Sequence, residues 1–305
     1  MKFLLFVTAG IFGIIPLYSQ ATVMGAGYSA PYPIKVAPGQ LVTIFVNGIG
    51  ARLTARVPAT SLPLPYTLAG ISITIDELIN PPSLNRKVPI LAVGPTAPTF
   101  PGTPPSTAVA VSIQIPFGLR TTSFLAPDIP PPAALIVYEN EAPVAKIAIA
   151  PVPDQIHIAT TCDSNLTAPV PGARCRPVIA HDDGSPVTPD HPAHPGELLV
   201  LYAFGLGGVP PGVSAGEASP PAAQPLFPSS FLSLESAIQT WPSDRRIVKP
   251  EFVGLTPGFA GLYQINFVVP RPPFATATFD SRTGPVSVTV SGQTSADTAI
   301  LDVAQ

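Results

Sequence analysis

The chain has 305 residues, enough for two domains with hydrophobic cores, and 43 of them are proline. Charged residues are only 11% and hydrophobic ones 46%, which excludes a disordered polymer, while the proline load excludes a mainly helical protein. The net charge of −3, with no basic cluster, excludes a nucleic-acid-binding surface.

The N-terminus reads as a secretory signal. Lys2 is the only charge before Lys35, residues 3–18 are almost wholly apolar, and Ser19-Gln20-Ala21 places small residues at a cleavage site after Ala21. An uncleaved membrane anchor is the competing reading. The run is short for a span and Pro16 interrupts it, which favours cleavage of residues 1–21. No later apolar stretch reaches membrane length unbroken, so the mature chain is expected to be secreted or held at the cell surface without a membrane span.

The first unit is expected over residues 22–153. Period-two alternation predicts strands near 41–46, 70–75, 88–93, 109–115, 134–138 and 144–149. Ile71, Ile73 and Ile75 alternate with Ser72, Thr74 and Asp76, and Val109, Val111, Ile113 and Ile115 alternate with small or polar residues. Tyr138 to Pro143 reads as a hairpin connection, and the Pro/Thr-rich residues 96–107 read as an exposed loop.

A connector follows over residues 154–194, with short strands near 155–159 and 177–180. It holds both cysteines, Cys162 and Cys175. In an exported chain this close pair predicts a disulfide, with free thiols as the alternative. The second unit, residues 195–305, has predicted strands near 197–204, 231–238, 247–253, 262–269, 285–290 and 298–303, a Pro-rich loop at 209–230 and a turn at Ser291-Gly292-Gln293.

The two units echo each other. Pro38-Gly39-Gln40-Leu41-Val42-Thr43-Ile44-Phe45-Val46-Asn47-Gly48-Ile49-Gly50 returns 157 positions later as Pro195-Gly196-Glu197-Leu198-Leu199-Val200-Leu201-Tyr202-Ala203-Phe204-Gly205-Leu206-Gly207. Val111, Ile113, Ile115 and Pro116 return 154 positions later as Ile265, Phe267, Val269 and Pro270. A repeat of this period predicts an internal duplication. The expected fold is all-β: two tandem immunoglobulin-like β-sandwiches of six or so strands each, without the Cys–Trp–Cys signature of antibody domains.

Ala37-Pro38-Gly39 leading into Val42-Thr43-Ile44-Phe45, Leu64-Pro65-Tyr66-Thr67-Leu68-Ala69-Gly70-Ile71, Asp183-Gly184-Ser185, and Pro257-Gly258-Phe259-Ala260-Gly261-Leu262-Tyr263-Gln264-Ile265-Asn266 carry a resemblance over nearly the whole mature chain. The chain resembles the long uncharacterised C-terminal domain of secreted acidobacterial proteins. That resemblance implies secretion and tandem Ig-like folds; it implies no activity and supplies no functional residues. Residues 96–107 are an insertion relative to that pattern.

Four patterns invite a chemical reading. Gly212-Val213-Ser214-Ala215-Gly216 fits the nucleophile elbow of hydrolases, but Pro210 and Pro211 before it and Pro220 and Pro221 after it leave room for neither strand nor helix. No histidine follows His194 to serve as base. Gly205-Leu206-Gly207-Gly208 lacks the third glycine and the helix of a dinucleotide fingerprint, and reads as a tight turn with positive φ. His181, Asp182, Asp183, Asp190, His191 and His194, with His157 nearby, form the densest set of zinc-capable side chains, yet the interleaved prolines read as an extended linker. Aromatics on Pro-rich loops are candidate ligand contacts: Trp241, Phe227 and Phe231 foremost, with Tyr28 and Tyr32, whereas Phe259 and Tyr263 are expected at the core edge. Together these predict no catalytic residue, no cofactor and no resident metal. The expected role is a non-catalytic module for adhesion, scaffolding or surface recognition whose partner is a surface protein or glycan. A carbohydrate-binding or enzyme-accessory module using loop aromatics is the alternative.

Overall fold

The structure is a computed structural model that describes residues 22–26, 34–50, 53–77, 84–96, 108–121, 132–163, 176–207, 212–220, 232–236, 246–248, 250–269, 283–290, 293–294 and 299–302. All regular structure among them is β. The first half contains Thr22–Ala26 (β1), Ile34–Val36 (β2), Leu41–Asn47 (β3), Val57–Pro58 (β4), Thr67–Leu68 (β5), Ile71–Glu77 (β6), Leu84–Lys87 (β7), Ile90–Pro95 (β8), Ala108–Gln114 (β9), Ala133–Glu139 (β10) and Ala142–Pro151 (β11). His157–Ile158 (β12) and Ile179–His181 (β13) follow. Leu198–Phe204 (β14), Leu232–Ser236 (β15), Arg246–Val248 (β16), Phe252–Leu255 (β17), Tyr263–Val268 (β18), Thr283–Val290 (β19), Gln293–Thr294 (β20) and Ala299–Asp302 (β21) complete the second half.

In the first half one sheet runs β1-β3-β9-β8-β4 and the other β2-β11-β10-β6-β5, with β7 also on β6. The alternation of isoleucines in β6 buries Ile71, Ile73 and Ile75 against Ile44, Val111 and Ile113 of the facing sheet, so the first half is a sandwich around one apolar core. In the second half one sheet runs β12-β14-β18-β17, with β13 also on β14, and the other β16-β15-β19-β20, with β21 also on β19.

The two halves repeat one pairing pattern. The order β3-β9-β8 recurs as β14-β18-β17. The register recurs with it: Val42 faces Ile113 and Ile44 faces Val111, as Leu199 faces Phe267 and Leu201 faces Ile265. These are the residues that the two sequence offsets align. The turn that opens each strand is also the same. Gly39 donates its N–H to Ile115 and Gly196 to Val269, at 2.9 and 2.8 Å. The side-chain oxygen of Gln40 accepts from Ala37 N–H at 2.9 Å, and that of Glu197 accepts from His194 N–H at 2.7 Å. Each strand ends in a Gly-x-Gly corner with left-handed glycines, Gly48 and Gly50 in one half and Gly205 and Gly207 in the other, around a buried Ile49 or Leu206. The turn reading of these glycines is therefore the observed one.

The hairpin expected after Tyr138 is a two-residue turn, Asn140-Glu141, with both φ positive, the geometry whose twist matches paired strands. One expected strand is wrong. Residues 247–253 divide into β16 and β17, which lie in different sheets, because Pro250 cannot donate to a ladder. Pro89 stands at the same crossing between β7 and β8, and β7 itself was not expected. The expected signal segment 1–21, the loop 97–107, Cys175 and the turn at Ser291-Gly292 lie outside the described residues.

The halves meet in a seam. Leu41, Ala159, Phe204 and Leu262 form a shared apolar cluster, and Phe117 of the first half packs on the second core. A Cβ on Gly207 would lie 1.8 Å from the backbone oxygen of Pro153, so only glycine lets the corner approach the connector. Gly207→Ala should therefore destabilise by more than about 2 kcal/mol, left-handed strain and displacement together. Gly212→Ala, with φ +84° but no atom of the described residues within 4 Å, should cost about 1 kcal/mol from strain alone. Urea unfolding of both variants checks the difference; equal losses would contradict it.

Candidate functional site

The chemistry-bearing side chains of the connector sort into two pairs. His157, on β12, lies 3.0 Å from both oxygens of Asp163, and its ring stacks on Phe204 at 6.1 Å. Asp163 also accepts from the backbone N–H of Thr160 at 2.5 Å and from the Thr160 hydroxyl at 3.1 Å. The carboxylate thus closes the turn that carries Cys162. No cysteine among the described residues is free.

His181, on β13, is 4% exposed. Its Nδ1 lies 2.5 Å from Glu197 Oε1 and its Nε2 lies 3.3 Å from the His191 carbonyl, while the His191 ring stacks on it at 4.1 Å. Both ring nitrogens face acceptors only, and an imidazole donates from both only when it is protonated. Burial opposes that charge, but the hydrogen bond to Glu197, the His191 carbonyl and the charges of Glu197 and Asp183 outweigh it, so the His181 pKa is raised. Burial likewise acts against the Glu197 charge, and the His181 and His194 contacts overcome it, so its pKa is lowered.

Asp183 is spent on the turn, accepting from Ser185 N–H at 2.8 Å and donated to by the Ser185 hydroxyl at 2.6 Å. Asp182, Asp190 and His194 are exposed, and His157 belongs to the other pair. Among the described residues no three His, Cys, Asp or Glu side chains gather to hold a metal ion.

No helix follows Ser214 of the hydrolase-like loop among the described residues 215–220. Ser214 is exposed, and its backbone N–H donates to Glu217 at 3.2 Å. The loop is also held to the first half. Gly216 is buried, its N–H donates to Gln114 Oε1 of the first half at 2.6 Å, and its carbonyl accepts from Leu64 N–H at 2.8 Å. Glycine suits this position, because its φ is +85° and a Cβ would also stand 3.1 Å from Pro89.

That docking places three loops side by side. Residues 60–67 bond to 212–220 through Leu64 and Gly216. Residues 212–220 bond to 256–262, where Ser219 N–H donates to Phe259 at 3.0 Å and Gly258 N–H donates to Ser219 at 3.0 Å. No family model matches the chain, and no curated protein matches it. The aromatics expected as contacts, Trp241, Phe227, Phe231, Tyr28 and Tyr32, lie outside the described residues. Phe259, expected at the core edge, is instead 54% exposed, because the strand alternation starts only at Tyr263, which is fully buried. Tyr66, 46% exposed, was not among the expected aromatics, although it lies between Pro65 and Thr67 on a Pro-rich loop.

His181 and Asp154 both make the fold less stable as pH rises. Because the His181 pKa is raised, its contribution is complete below 6.5 and is lost as pH rises through the folded value. Asp154, beside the Gly207 corner, is pushed up to about 6 by burial, so it destabilises as pH rises from 3.8 towards 6 and keeps that penalty above. The melting temperature should therefore fall from mildly acidic to alkaline pH. His181→Gln should remove the part of the fall above 6.5, and Asp154→Asn should raise the melting temperature at neutral pH but not below 3.8. Thermal scans across pH check both.

Proposed function

We propose that the chain is an exported, non-catalytic recognition module made of two tandem immunoglobulin-like sandwiches that arose by internal duplication. The strand order supports the Ig-like part: β1-β3-β9-β8 follows the A-B-E-D order of such sandwiches, and β11-β10-β6-β7 follows G-F-C-C′. The short β2 pairs parallel with β11, as an A′ strand pairs with G. The matched register of β3/β9 and β14/β18 supports duplication, as does their common turn chemistry. The motifs shared with the acidobacterial domain, and the apolar N-terminus before Ala21, support export.

The observation that carries the recognition reading is the seam. It locks loops from both halves into one continuous surface, while the buried histidines are engaged with carboxylates in structural pairs. Rigid scaffolds presenting loops are the usual arrangement for binding. Purified full-length chain applied to combined glycan and protein arrays should bind a defined class of targets, and Ser214→Ala should leave that binding intact. A hydrolase activity lost in Ser214→Ala, with no array binding, would overturn the reading.

We further assign a Cys162–Cys175 disulfide that closes the connector loop, which in the chain-entropy model stabilises by about 3 kcal/mol. Thiol titration of the unfolded chain should find none before reduction and two thiols after it, the full cysteine count. Two reactive thiols before reduction would refute the bond.

A further inference from the structure

Five large apolar side chains are exposed among the described residues, and three of them, Leu62 at 42%, Tyr66 at 46% and Phe259 at 54%, stand on the three joined loops. The loops carry one charge, Glu217, across residues 60–67, 212–220 and 256–262. Their backbones are held by Pro63, Pro65 and Pro257 and by the hydrogen bonds through Gly216 and Ser219, so little ordering remains to oppose binding. Exposed apolar side chains held on a rigid frame mark an interaction surface.

Charge selects the partner. An anionic polymer needs lysine or arginine, and these loops have none. An extensive protein interface needs a continuous apolar centre. Here the apolar groups are spaced apart by glycine and by exposed hydroxyl residues such as Ser61 and Ser214. Sugar rings present an apolar C–H face edged by hydroxyls, which complements rings set among small hydroxyl side chains.

We propose that the three-loop surface binds a neutral polysaccharide, with Tyr66 and Phe259 as the ring-stacking residues. This rests on the recognition reading above and names its ligand class. The test is retention of the full-length chain on cellulose, chitin and xylan, with polygalacturonate as the anionic comparison. Wild type should be retained on at least one neutral polymer and not on polygalacturonate. Tyr66→Ala and Phe259→Ala should each weaken retention about tenfold and together abolish it. Tyr66→Phe, which keeps the ring, and Leu84→Ala, an exposed residue on another edge, should bind as wild type. Melting temperatures of all variants should match wild type within a few degrees, since the altered side chains are about half exposed. Absence of wild-type retention on every neutral polymer, or retention unchanged in the double variant, overturns the proposal. Binding to immobilised proteins that the same variants abolish, with none to glycans, overturns the polysaccharide assignment and leaves the recognition reading standing. Binding to neither class overturns both.

Discussion

The structure depends on the ladder that begins at each Pro-Gly-Glx turn. In the first half Gly39 donates to Ile115 and Ile115 donates back to Gln40; in the second Gly196 donates to Val269 and Val269 donates back to Glu197. These reciprocal bonds fix which residue of β9 or β18 faces which residue of β3 or β14. Because side chains alternate with period two, a slip by one position would turn Val42, Ile44 and Val46 out of the core. The left-handed glycine permits the turn, and the Gln or Glu oxygen on the preceding N–H holds it closed. The same ladder sets Gln114 at the end of β9, where its amide reaches across to Gly216.

The seam follows from that placement. Gln40 and Gln114 are fully buried where the halves meet, and Gly205 and Gly261 leave room for close approach. A Cβ at Gly261 would sit 2.7 Å from Gln114 and 2.8 Å from the Gly39 carbonyl. The apolar cluster of Leu41, Ala159, Phe204 and Leu262 supplies the dry part of the contact and the Gln114–Gly216 bond its direction. Coupling between the halves thus rests on packing and hydrogen bonds as well as on the connector loop, and it is what brings loops distant in sequence into one surface.

Much of this was legible in the sequence where the signal is local or repeated. Ile71 to Ile75 and Val109 to Ile115 alternate cleanly because one face of each strand is buried, and the Gly-x-Gly corners are visible because glycine adopts their φ without a Cβ penalty. What escaped was set by partners far away in sequence. The short edge strands β2, β4 and β7 have too few residues for periodicity and exist through their neighbours. The split at Pro250 required knowing that the chain changes sheet there. The docking of Gly216 left no local signal because its partner, Gln114, lies 102 positions away. Phe259 looked like core because it adjoins a strand, and only the positive φ of Gly258 and Gly261 shows that the turn carries it outward.

The two corners use one geometry with different chemistry, and the surroundings explain why. Gln40 lies at the seam, fully buried; a carboxylate there would lose its hydration, at a cost of several kcal/mol unless a counter-charge met it. The neutral amide closes the same turn while leaving only its Nε2 without a hydrogen bond among the described residues. Glu197 lies where the connector passes, and β13 lays His181 against it. The carboxylate can then keep the turn with one oxygen and hold the imidazolium with the other. The departure from symmetry at this position therefore comes from the connector, which only the second half receives along β14.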